Sequence, residues 1–210
     1  KRKTGDYMSG ALPSVDFTAV KISSNQKTLV STTDSGKTFR RQIQGQRWQF
    51  SCVYKQQPRL SFQSIMSFII KQRSQKESFT ITFPNYLDAN GNETGTVLVN
   101  GVHAVGDTTI AMDGFHADGT HRFRAGDFIK FNGHSKVYMV VDDVTSSSNA
   151  ATVTIEPPLR SALANNEAVT YDDVPFTVQL TSDLQEFPMS NGDSNGEPLH
   201  NFEFDVIESL

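Results

Sequence analysis

The chain has 210 residues, 37% of them hydrophobic and 20% charged, with a formal net charge of −4. That length holds one large or two small domains with a core that needs no disulfide staple, and the mild acidity argues against a general nucleic-acid binder. No apolar run approaches the roughly eighteen residues of a membrane helix, and the N-terminus lacks the apolar core of a secretory signal.

Val15 to Ile22 reads as a short strand with Val15, Phe17, Val20 and Ile22 turned inward. Thr28–Thr33 and Thr38–Ile43 then flank Asp34-Ser35-Gly36-Lys37, a hairpin turn in which glycine tolerates positive φ. The next strand runs to Tyr54. Trp48, Phe50, Cys52 and Tyr54 fall on one side of it, and Arg47, Gln49 and Ser51 on the other, the pattern of a half-buried strand. Cys52, the single cysteine, lies on the apolar side and reads as a buried, inert thiol. Ser61 to Gln75 is the one convincing helix. Phe62, Ile65, Met66 and Ile69 make its apolar stripe, Phe68 and Ile70 widen it, and Lys71, Arg73 and Lys76 complement the dipole at its C-terminal end. Ser78 to Phe83 alternates as a further strand.

At Pro84-Asn85-Tyr86 the character changes. Residues 87–94 have a loop composition, and six short strands follow: Thr96–Val99, Thr108–Met112, Asp127–Phe131, Lys136–Val144, Ala151–Ile155 and Ala168–Tyr171. Closely spaced strands without a helix predict a small barrel. Thr145–Asn149, uniformly small and polar, reads as a mobile loop tip, and Pro157-Pro158 ends the penultimate barrel strand. Strands at Phe176–Leu180 and Asn201–Ile207 complete the chain, separated by an Asn/Gly/Ser loop at 190–196.

Chemical motifs are thin. Gly36-Lys37-Thr38 lacks the earlier glycine of a phosphate loop, Ser31 standing in its place, and no helix follows to receive a phosphate. Asp88-Ala89-Asn90-Gly91-Asn92 opens like a calcium loop, but its twelfth position is Val99 instead of an acidic ligand. His116 and His121 flank Asp118 as a weak zinc hint at a spacing that matches no established site; these two and His103, His134 and His200 read as solvent-exposed loop residues. Asp142-Asp143 and Asp172-Asp173 point to opposite strand faces, and no nucleophile elbow is present. The reading is therefore a protein with no enzymatic activity, no cofactor and no metal.

The order of these segments resembles the distal tail proteins of siphophages, particularly those of long-tailed phages infecting Gram-negative bacteria. The likeness rests on Gln46-Arg47-Trp48-Gln49-Phe50 with Tyr54, the Tyr86-bounded end of the first half, Ala125–Phe131, His134–Tyr138, Met189–Ser194 and Glu208-Ser209-Leu210. It implies a mainly β chain with one helix. A split β-sandwich or tail-tube-like domain (8–86 plus 174–210, helix 61–75) would carry an inserted OB-like β-barrel (87–173). It implies a structural virion protein of the tail tip and baseplate: a homo-hexameric ring that joins the tail tube to the distal tip and surrounds the DNA channel. Its partners would be the tail tube protein, baseplate hub and tip proteins, and side-fibre or receptor-binding proteins. DNA would only pass through, and no membrane is involved. Such a protein is assembled in the host cytoplasm without a secretion signal.

A ring needs patches that pair with identical neighbours by a contact that closes on rotation. The Thr28–Ile43 hairpin and the Met189–Pro198 loop are the expected contacts, with Asp34, Lys37, Arg40, Arg41, Arg47, Asn191 and Asp193 as interface residues. The alternative is a tail module that binds host carbohydrate through the barrel, for which Tyr138 and Tyr171 are a thin aromatic platform.

Overall fold

A computed structural model describes residues 8–13, 16–43, 45–190, 192 and 198–210. Two compact units emerge: one runs to Phe79 and resumes over Val178–Ser209, the other is Thr80–Thr177.

The elements of the first half are β1 (Met8–Ala11), β2 (Phe17–Asn25), β3 (Thr28–Thr32), β4 (Thr38–Gln42), β5 (Arg47–Tyr54), β6 (Gln57–Pro58), α1 (Arg59–Lys71) and β7 (Ser78–Ile81). The inserted stretch holds β8 (Leu98–Val99), β9 (Thr109–Asp113), β10 (Phe128–Phe131), β11 (Val137–Val140), β12 (Ala150–Glu156) and β13 (Val169–Thr170). The chain closes with β14 (Phe176–Leu180), β15 (Met189–Ser190), β16 (Leu199–His200) and β17 (Glu203–Glu208). Among the described residues the architecture is mainly β with one helix, as the sequence predicts.

The first sheet runs β1-β7-β14-β17-β5-β2. Along β5 burial alternates without a break: Trp48, Phe50, Cys52 and Tyr54 are buried, and the residues between them half-exposed. β17 lies antiparallel to β5, with Phe204 opposite Cys52 and Val206 opposite Phe50. β2 covers the other edge of β5, with Val20 opposite Cys52 and Ile22 opposite Phe50. Val15, expected to begin that strand, lies outside the described residues. Glu208 brings its buried carboxylate to the Trp48 N–H, which donates at 3.2 Å. Aromatic rings form the core of this unit: Phe17, Tyr54, Phe204, Phe202 and Phe187 follow one another with centroids 4.8–5.9 Å apart, and Phe62 of α1 meets Phe202 at 5.5 Å.

The helix departs from expectation at both ends. It begins at Arg59, directly after Pro58 in extended geometry, and ends at Lys71 instead of Gln75. Arg73 and Ser74 adopt left-handed φ of 55° and 62°, which breaks the helical ladder, and the Gln72 side chain donates back to the Phe68 carbonyl at 2.8 Å. The buried stripe is also narrower: Phe62, Ile65 and Ile69 are covered, whereas Met66 and Ile70 are exposed. A small sheet missed in the sequence, β15-β16-β6, sits ahead of α1. Its strands are two residues each, too short for a periodic signal.

The second sheet runs β13-β10-β11-β12-β9-β8. Its two ends meet through a Leu98–Ala168 bridge and through N–H donation from Val99 to the Glu167 carbonyl and from Val169 to the Val97 carbonyl, at 2.9 and 3.0 Å. The result is a nearly closed six-stranded barrel around Val99, Ile110, Met112, Ile129, Val140 and Ile155. Two buried carboxylates fasten its loops. Asp127 accepts the Asn90 and Gly91 N–H groups at 2.7 and 3.1 Å and the Arg124 N–H at 2.8 Å. Glu93 accepts from Thr94, Gly95 and His116 at 3.1, 2.6 and 2.7 Å, and Arg122 stands 3.9 Å from its second oxygen. The Thr145–Asn149 tip is a tight turn, not a loose one. Ser146 is buried, its hydroxyl donates to the Ala117 carbonyl at 2.8 Å, and it exchanges backbone bonds with Gly119.

Candidate assembly surfaces

The β3–β4 hairpin stands out among the described elements of the first unit for its exposure. Its two strands pair only with each other, and all ten strand residues are exposed. The turn explains how so bare a ribbon keeps its shape. Gly36 takes φ +80°, a region that strains any residue with a Cβ, and its N–H donates to the Thr33 carbonyl at 2.8 Å. The Thr33 hydroxyl accepts the Lys37 N–H at 3.2 Å, and Thr33 N–H donates to the Lys37 carbonyl at 2.9 Å. Gly36-Lys37-Thr38 is thus a hairpin end.

The register sorts the hairpin into two unlike faces. Leu29 opposes Arg41 and Ser31 opposes Phe39; Thr28 opposes Gln42, Val30 opposes Arg40 and Thr32 opposes Thr38. Opposed residues share a face and the face alternates along the strand. One side therefore presents Leu29, Phe39 and Arg41, with Lys37 Nζ 5.2 Å from the Phe39 ring centroid, and the other presents Val30, Arg40 and threonines. Leu29, Val30 and Phe39 are 57%, 61% and 53% exposed. Fully burying side chains of this size is worth about 1.5–3 kcal/mol each. A surface ion pair is worth only about 0.2–1 kcal/mol. The apolar residues thus supply the drive of any contact here, and the cations its selectivity.

Of the expected interface residues, Asp34, Lys37, Arg40 and Arg41 come together on this hairpin, all exposed. Arg47 is half-buried on β5, opposite Asn25. Asn191 and Asp193 lie outside the described residues. The sequence reading missed a second feature of the same unit, a cleft of about 360 Å³ lined by Ser51, Ser182, Leu184, Gln185, Glu186, Pro188, Glu203, Phe204 and Asp205. Its lining holds three carboxylates and no cation. Leu184 is 70% exposed and nearby Met189 69%. The signal was there in Asp183-Leu184-Gln185-Glu186, an apolar residue set among acids between two strands.

The remaining chemical candidates resolve into structure. Burial pushes the Cys52 thiol up to about 12, helped by the Asp205 charge, so it is no nucleophile at neutral pH. The calcium-like loop is strapped down by Asp127. Asp118 accepts the Asn149 N–H at 2.7 Å, and backbone donation from Asn149 and Ser148 holds its carboxyl below the usual range. His121 faces Asp143 at 3.4 Å. Among the described residues no three His, Cys, Asp or Glu side chains are gathered as metal ligands. The barrel's tyrosines are engaged. Tyr138 is fully buried and accepts the Arg160 N–H at 3.0 Å; Tyr171 donates to the Gly95 carbonyl at 2.6 Å. No helix of the described residues is long and apolar enough to cross a membrane.

Residues 86–174 match the family described as distal tail protein pb9, B domain, which covers the whole barrel. No curated protein matches the chain in a sequence comparison.

Proposed function

We propose, from the match of residues 86–174 to the distal tail protein pb9 B domain, that the whole chain is a structural protein of the phage tail tip and baseplate. In this reading it forms a homo-hexameric ring that joins the tail tube to the distal tip and surrounds the DNA channel. Residues 8–86 with 174–210 form the ring and 87–173 are an OB-like barrel that holds other tail or receptor-binding proteins. The family match of the barrel carries the reading. The exposed hairpin supports it, because an isolated two-stranded ribbon bearing three large apolar side chains is marginal in water and gains by docking. The channel must let DNA slide without gripping it, so its lumen is neutral or acidic.

Light scattering with negative-stain microscopy tests this. A ring of about 140 kDa, six times the 23.3 kDa chain, with a central hole is expected. A compact dimer without a channel overturns it. The carbohydrate alternative has little to stand on in the barrel, whose tyrosines are committed to internal hydrogen bonds. Binding of the full chain to a glycan array would restore it.

A further inference from the structure

We propose that the hairpin of one copy docks into the acidic cleft of the next, so that the ring contact is head-to-tail between two different patches of the same chain. The inference rests on the assembly reading above and names the surfaces that it leaves open. The docking element is the Leu29–Phe39 face of the hairpin, with Arg41 on it and Lys37 against the Phe39 ring. Ile43, 40% exposed and held to Lys27 by its N–H, extends that face in register. Among the described residues Lys27, Lys37, Arg40 and Arg41 take part in no ion pair.

The complement lies in the cleft. Glu186, Glu203 and Asp205 line it without an ion-paired partner among the described residues, around the exposed Leu184 and Pro188. Lys21 shares the Ser51–Asp205 row of the sheet, two strands from Asp205. Apolar side chains flanked by cations thus find an exposed leucine and proline flanked by carboxylates. The hairpin's own charge is positive in a chain whose net charge is −4, so its steering target is a negative surface. Because donor and acceptor patches differ, each copy offers one of each, which is the requirement for a closed ring.

The faces make the test sharp. Arg41→Glu, on the docking face, is expected to weaken self-association about tenfold, whereas Arg40→Glu, on the opposite face, leaves it within about twofold. Leu29→Asp with Phe39→Asp is expected to cost on the order of 100-fold. Glu203→Lys with Asp205→Lys does the same from the cleft side. All are exposed, and circular dichroism confirms the fold of each variant. The hairpin-defective and cleft-defective proteins, each monomeric alone, are then mixed. One intact hairpin and one intact cleft remain between them, so the mixture forms a one-to-one dimer by light scattering. Rings that survive both sets of substitutions, or equal losses from Arg40→Glu and Arg41→Glu, overturn the docking while leaving the ring reading standing. A wild-type chain that stays monomeric at millimolar concentration overturns both.

Discussion

Cys52 shows what one buried side chain settles. Its thiol stays protonated in the fold up to about 12, against an ordinary 9.0, so the unfolded chain ionises first. A group whose pKa is raised by folding lends stability that is complete below its unfolded value and is lost as pH climbs toward the folded one. Stability is therefore expected to fall between pH 9 and 12, and Cys52→Ala is expected to flatten that fall in urea titrations across the range. Iodoacetamide at pH 8 should leave the native thiol unlabelled and label it fully in denaturant; fast native labelling would contradict the burial. Gly91 makes a second residue-scale case. A Cβ there would strike the Arg122 carbonyl, and its N–H is held by Asp127. Gly91→Ala is expected to destabilise the barrel by about 1–3 kcal/mol, and Asp127→Ala by about 2–4, as three backbone donors lose their acceptor. Thermal unfolding reads both. The inward face of β5 was legible, because alternation alone writes it. The role of Asp127 was not: its partners are backbone N–H groups up to 37 residues away, which no side-chain pattern marks.

At the scale of elements, legibility follows the same logic. The hairpin was plain from its turn residues and flanking strands, and the barrel strands from their spacing. The helix end was misplaced, since Arg73 and Ser74 carry no sequence sign of the left-handed turn they adopt. The Ser146 turn looked loose because its hydrogen bonds run to Ala117 and Gly119, far off in sequence. The hairpin also makes an expectation about dynamics. With every strand residue exposed and no covering layer, its amides should exchange with deuterium within seconds in dilute monomer, while those of β5 persist. Assembly should slow the hairpin selectively. Equal protection before and after would show that it takes no part in the contact.

For the whole molecule, the acidic composition and the basic hairpin together predict that assembly weakens with salt, as cations and carboxylates are screened. Association measured between low and high ionic strength should fall; a rise would mean apolar burial acts alone. The barrel closes on its own core, and the fragment Thr80–Thr177 is expected to unfold in one cooperative step by itself. A fragment without near-ultraviolet ellipticity would show that it depends on the rest of the chain.

One topological detail bears on synthesis. β17 is threaded between β5 and β14, so this interior strand is made after both of the strands that flank it. A growing polypeptide that has not yet reached Glu203 leaves β5 and β14 with bare flanks and no Phe204 or Val206 to seal them. The acidic cleft, which needs Glu203 and Asp205, does not exist until that moment either. Products truncated before Glu203 would accordingly lack the cleft and could not offer the acceptor half of the proposed contact.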